Sequence, residues 1–65
     1  MTSEHEIQRI LARDATAALL GVNIRTLERM VAAREFPRPI RLSRNRLGFV
    51  ASEVSDWIES RERAG

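Results

Sequence analysis

The apolar positions of this chain fall into two rhythms, separated by breakers. From Asp14 to Leu20 an apolar run, Ala15, Ala18 and Leu19, predicts a short helix, with Asp14 in its first turn where a negative charge suits the macrodipole. The run ends at Gly21, a residue that takes positive φ at a helix C-terminus without steric cost. Val22 can pack inward across the bend. Asn23 offers a side-chain oxygen to the backbone N–H of Arg25 or Thr26, so a second helix is predicted to start at Ile24. At about 100° per residue, Ile24, Leu27 and Val31 share one face, with Met30 and the stem of Arg34 at its edge and Arg25 and Arg29 opposite. Pro37 and Pro39 cannot continue a helix and push Phe36 and Arg38 toward extended geometry, so the second helix must stop near Arg34.

A period of two follows. Ile40 and Leu42, then Leu47 and Phe49, flank Ser43-Arg44-Asn45-Arg46, which predicts a small β-hairpin, with Asn45 able to take the left-handed position in its loop. Its apolar side is expected to cover the helices; its tip presents Arg44 and Arg46, and Arg41 projects from the face away from Ile40 and Leu42. Beyond it, Val50, Val54, Trp57, Ile58 and the stem of Arg61 lie on one amphipathic face of a closing helix. Glu53 and Asp56 suit the start of that helix, Arg61 and Arg63 its end. Trp57 with Phe36 and Phe49 is expected to supply the bulk of the aromatic core. At the other end of the chain, residues 1–8 hold few apolar side chains and are expected to form a flexible N-terminus; Ile7, Ile10 and Leu11 fit either a short helix or a strand. Residues 9–65 then make one domain.

Two short helices across a Gly-centred turn, followed by a hairpin with a basic tip, make a winged helix-turn-helix, mostly α with a small β-hairpin wing. In this arrangement the second helix, 24–34, enters the major groove with its N-terminal residues at the base edges, which here means Asn23, Arg25, Thr26 and Arg29. The wing, 40–50, brings Arg41, Ser43, Arg44, Asn45 and Arg46 to the adjacent backbone or minor groove, where a narrow A·T tract concentrates negative potential. Arg34 and Arg38 are candidates for further backbone contacts. Arg25 and Arg29 stand one turn apart, a repulsion of roughly 0.2–0.5 kcal/mol in an isolated helix, which phosphates or guanine edges would relieve.

Composition narrows the function further. A chain of 65 residues buries only about 60% of the surface that its unfolded form exposes, so stability is expected to be marginal. There is no cysteine, and a lone His5, expected to be solvated, cannot build a metal site. No run is long enough to cross a bilayer, and the acidic, polar start is unlike a signal peptide, so the expected location is the cytoplasm. All eleven basic residues are arginine. A G- and C-rich genome would favour arginine, but not its placement: seven arginines and two carboxylates lie between Leu20 and Val50, while the flanks hold four arginines and seven carboxylates. That segregation suits a nucleic-acid partner. Enzyme chemistry finds no footing, with no tyrosine, cysteine or lysine nucleophile, and with Glu53, Asp56 and Glu59 on a solvated helix face. No catalytic residue, cofactor or small-molecule substrate is expected. The expected partner is double-stranded DNA, with self-association on adjacent sites, because one such module buries only about 600–1,000 Å² on DNA. The alternative is a protein-interaction module, an antirepressor or adaptor that uses the same basic surface.

The stretch LLGVNIRTLERMV, then EFPRPIRL, LGF and SEVSDWI, resembles the AlpA-like family of small phage and genomic-island regulators and excisionases, which have a MerR-like winged helix-turn-helix. The resemblance runs from about Arg9 to Arg61. Its features occur in order: the Leu-Gly turn, the Thr-Leu pair, Phe-Pro, an aromatic after Gly48, and Val-x-x-Trp. Two positions depart, since members commonly carry an aromatic where Glu28 sits and a tryptophan where Phe49 sits. The resemblance implies a bacterial, nucleoid-associated DNA-binding protein of a mobile element. It would act as a transcriptional regulator or as a recombination directionality factor that bends attachment-site DNA and assists a separate integrase. Arg25, Thr26 and Arg29 match the family's recognition-helix positions, and Arg44 to Arg46 its wing tip.

Overall fold

The computed structural model describes residues 9–64. The expected flexible segment 1–8, with His5 and Ile7, lies outside the described residues. The elements run β1 (Ile10–Leu11), α1 (Arg13–Leu20), α2 (Ile24–Ala32), β2 (Ile40–Ser43), β3 (Arg46–Val50) and α3 (Ala51–Glu59). This is a mostly helical winged helix-turn-helix whose wing is widened by β1 into a three-stranded antiparallel sheet of order β1-β3-β2.

Local chemistry sets both ends of the helical turn. Gly21 takes φ 76°, and the N–H groups of Gly21 and Val22 close the last carbonyls of α1, on Ala18 and Ala17, at 3.1 and 3.0 Å. The Asn23 side chain accepts from the Thr26 N–H at 2.7 Å and starts α2 as its sequence predicts. The far end of α2 repeats the closure of α1. Arg34 and Glu35 donate to Val31 and Met30 at 3.0 and 2.9 Å, and Arg34 sits at φ 63°, a left-handed position normally given to glycine. Nothing in the sequence marked that strain.

The hairpin's register corrects the sequence reading. Ile40 stands opposite Gly48 and Arg41 opposite Leu47, with an irregularity before Ser43 pairs with Arg46. Ile40 therefore lies on the Gly48 side of the sheet, not on the side of Leu47 and Phe49. A one-residue difference in register exchanges the faces of a whole strand. Ile40 and Leu42 are accordingly 42% and 47% exposed and do not cover the helices. The turn is Arg44-Asn45, and Arg34 is the sole non-glycine residue with positive φ among those described, so Asn45 does not take the left-handed position. The Arg41 guanidinium instead donates to the Arg44 carbonyl at 3.1 Å and ties the turn down.

Gly48 has a steric reason. A Cβ there would overlap Ile10 Cγ2 and lie 3.1 Å from Leu42 Cδ1, so any larger residue would force the side chains that β1 and β2 lay over this face of β3 to shift. The Ala51 N–H donates to the Arg9 carbonyl at 2.8 Å, which fastens β1 to the start of α3. Ile10 and Leu11 thus form a strand, the alternative left open by their spacing.

The buried core is Ala17, Leu27, Phe36, Phe49 and Val54. Helix α1 contributes Thr16 and Ala17 to the interior, while Leu19 from its apolar run is 60% exposed. Burying a hydroxyl is tolerable here because Thr16 Oγ1 donates to the Ala12 carbonyl at 2.8 Å, one turn back. Phe36 is the hub of the aromatic core, edge-on to Phe49 at 5.5 Å and to Trp57 at 4.8 Å. Trp57 is half-buried at the rim, not at the centre as its size suggested.

Candidate nucleic-acid interface

Helix α2 has two distinct sides. Leu27 is fully buried, and at about 100° per residue Arg25 and Arg29 both point nearly opposite it, where they are exposed. Thr26 and Glu28 occupy the two flanks between these faces. Thr26 is half-buried on one flank, and its N–H is held by Asn23, whose oxygen is thereby committed to the cap. Glu28, exposed on the other flank, faces the hairpin: with Leu27, Val31 and Ala32 it lines an apolar groove whose opposite wall is Pro39, Leu47 and Phe49.

The wing tip is brought to the start of α2. Asn45, Arg46 and Leu47 share one cleft with Ile24 and with Ala12, Arg13 and Asp14 at the start of α1. Ile24, expected to face inward, is 39% exposed because it borders this cleft. Ser43, Arg44, Asn45 and Arg46 are all exposed. Arg41 lies on the Leu47 side of its strand, as projected away from Ile40, but one of its N–H groups is already used in the turn. Arg38 is exposed in the connection before β2. Arg34 is placed apart, at the opposite end of α2 from Asn23, beside Phe36, Trp57 and Arg61.

Among the described residues Arg13 alone of the arginines has a carboxylate partner, so the candidate arginines keep their charge unpaired. Among the described residues the one ion pair joins Arg13 Nη1 to Glu28 Oε2 at 2.6 Å. Arg25, Arg29, Arg38, Arg44 and Arg46 have no carboxylate partner among the described residues. Arg25 and Arg29 stand on the outer face of α2, and Arg44 and Arg46 at the hairpin tip, which lies beside the start of α2; unpaired cations so placed suit a polyanion. The Arg13–Glu28 pair escaped the sequence reading because its members are fifteen positions apart; the one signal was that Glu28 departs from the resembled family's aromatic. Half of each side chain is exposed, at 49% and 52%, so the pair contributes at most about 1 kcal/mol.

The strained Arg34 allows a direct test of role. Arg34→Gly is expected to stabilise the fold by about 1 kcal/mol, a rise of about 4–8 °C in melting temperature for a domain of this size. If Arg34 also contacts phosphate, the same variant binds every duplex more weakly. Urea denaturation beside duplex binding reads both, and a less stable Arg34→Gly protein would show that the side chain holds the fold.

Among the described residues no helix is long and apolar enough to cross a membrane, and no group of three or more metal-ligating side chains is found. No curated protein and no solved structure matches the chain. The family model described as "Prophage CP4-57 regulatory protein (AlpA)" matches residues 9–62, the stretch from the residue before β1 to just past α3, and the chain belongs to that family of prophage regulatory proteins.

Proposed function

We propose that residues 9–65 bind double-stranded DNA sequence-specifically, as a transcriptional regulator, a recombination directionality factor, or both. Residues 24–34 lie in the major groove, and residues 40–50 meet the adjacent backbone or minor groove. The observation that carries this reading is the unpaired Arg25–Arg29 face of α2, opposite buried Leu27 and beside an arginine-tipped hairpin. Membership in a prophage regulatory family supports a regulatory role and not an enzymatic one.

In this reading Asn23, Arg25, Thr26 and Arg29 approach base edges, with one lone pair of Asn23 Oδ1 taken by the cap. Arg41, Ser43, Arg44, Asn45 and Arg46 meet the backbone or minor groove, joined by Arg34 and Arg38. Copies on adjacent sites associate, because one module buries too little surface for useful affinity alone. An integrase supplied by another chain would do the strand chemistry in excision.

The division of labour is testable. Arg25→Ala or Arg29→Ala is expected to cost about 1–3 kcal/mol on the preferred site and to relax the preference at one position, as loss of a guanine contact does. Arg44→Ala or Arg46→Ala should weaken all sequences similarly. Each lost phosphate contact should also lower the slope of log affinity against log salt by about 0.9. Binding-site selection from a random duplex pool, then affinity and bend angle across a salt series, checks the whole. An enriched repeat with a large bend supports an architectural role in excision, and enrichment without bending a simple regulator. A pool with no enriched sequence overturns the proposal.

A further inference from the structure

The unpaired arginines suit DNA, but a carboxylate stands beside them on the flank of α2. Glu28 sits one turn from Arg25, on the flank of α2 that faces the hairpin, and it is exposed. An unneutralised carboxylate there would repel phosphate. It is neutralised from another element: Arg13, at the first position of α1, reaches across to hold Glu28 Oε2 at 2.6 Å. The same Arg13 lines both the cleft under the hairpin tip and the groove between α2 and β3, so the pair lies between recognition helix and wing. With both side chains half exposed, the contact adds little to stability.

What the pair does accomplish is orientation. One carboxylate oxygen is held by Arg13, and among the described residues no donor occupies the other, Oε1. A carboxylate can only accept. In the major groove the base-pair feature that demands an acceptor is an exocyclic amino group, and the pairing that suits Glu is the cytosine N4 amino group. We propose that Glu28 is a specificity-determining residue that accepts from a cytosine amino group in the bound site, with Arg13 as its positioning residue. This rests on the DNA-binding reading above. Arg13 also spares the carboxylate from meeting phosphates as a bare charge.

The experiment is site selection from one random duplex pool with the wild-type chain, Glu28→Gln, Arg13→Ala and Arg13→Lys, each checked for folding by its thermal melt. The wild type is expected to enrich a motif with cytosine at one fixed position. Glu28→Gln should lose or exchange that base for adenine, which a glutamine amide pairs, and should bind the cytosine site about 5- to 150-fold more weakly, with the other positions unchanged. Arg13→Ala should blur the same position and no other, and Arg13→Lys should restore it. A wild-type motif that Glu28→Gln leaves intact at every position overturns this inference and leaves the DNA reading standing. So does a Glu28→Gln protein that binds all sequences more tightly by the same factor, which is the loss of simple repulsion. Absence of any wild-type motif removes both.

Discussion

Phe49→Ala is expected to unfold the domain. The ring is 98% buried, packs edge-on against Phe36 at 5.5 Å, and stands on the inner face of the central strand of the sheet. Truncation of such a buried aromatic costs about 3–5 kcal/mol, from lost transfer energy and an uncollapsed cavity. A chain of this length has about 3–10 kcal/mol of stability in all, at the usual 0.05–0.15 kcal/mol per residue. The loss therefore spans much or all of what is available. Far-ultraviolet circular dichroism through a thermal melt checks it. A Phe49→Ala protein that melts cooperatively within a few degrees of the wild type would show that the core is centred elsewhere. Phe49→Trp, the residue commonly present in the resembled family, has to enlarge a site already bounded by Phe36 and is expected to cost less than the truncation.

Trp57→Ala is the second large effect, of about 3 kcal/mol, at the low end for a buried aromatic because the side chain is only half-buried. Trp57 joins three parts of the fold. Its ring meets Phe36 at 4.8 Å, its Nε1–H donates to the Glu35 carbonyl at 2.9 Å just past α2, and the Arg61 guanidinium stacks over it at 4.6 Å. It thus fixes α3 against the C-terminal end of α2. Trp57→Phe keeps the packing and removes the hydrogen bond, and because Glu35 is exposed, water can satisfy the freed carbonyl. The loss should then be about 0.5–1 kcal/mol. Urea denaturation of the two variants separates the contributions: equal losses would mean that the hydrogen bond, not the ring, carries the stability.

Much of the framework was legible in the chain because it depends on neighbours in sequence. The left-handed glycine, the asparagine cap and the two prolines each act within one turn of backbone. So the helix-turn-helix boundary falls at Gly21 and Asn23 as expected, while α2 ends at Ala32, two residues short of the expected stop near Arg34. The outward placement of Arg25 and Arg29 follows from the helical period alone. The family resemblance was legible for a similar reason, since its features are short and ordered.

The rest depended on pairing between distant segments. Period two announced strands on both sides of Arg44-Asn45, but not their register, and the register put Ile40 over Gly48 and turned Arg41 toward the Leu47 side. Short apolar α1 could not say which residues it buries; the answer, Thr16 and Ala17 with Leu19 left outside, follows from where Leu27 and Phe49 meet it. The Arg34 strain appears only once the chain must turn from α2 toward Phe36 in the core. The Arg13–Glu28 pair exists only because α1 and α2 cross near the hairpin. Backbone chemistry and helical period are local properties and are written in the sequence itself. Strand register, the choice of buried face and cross-element ion pairs are decided by the packing of the whole domain, where a shift of one residue exchanges what is inside for what is outside.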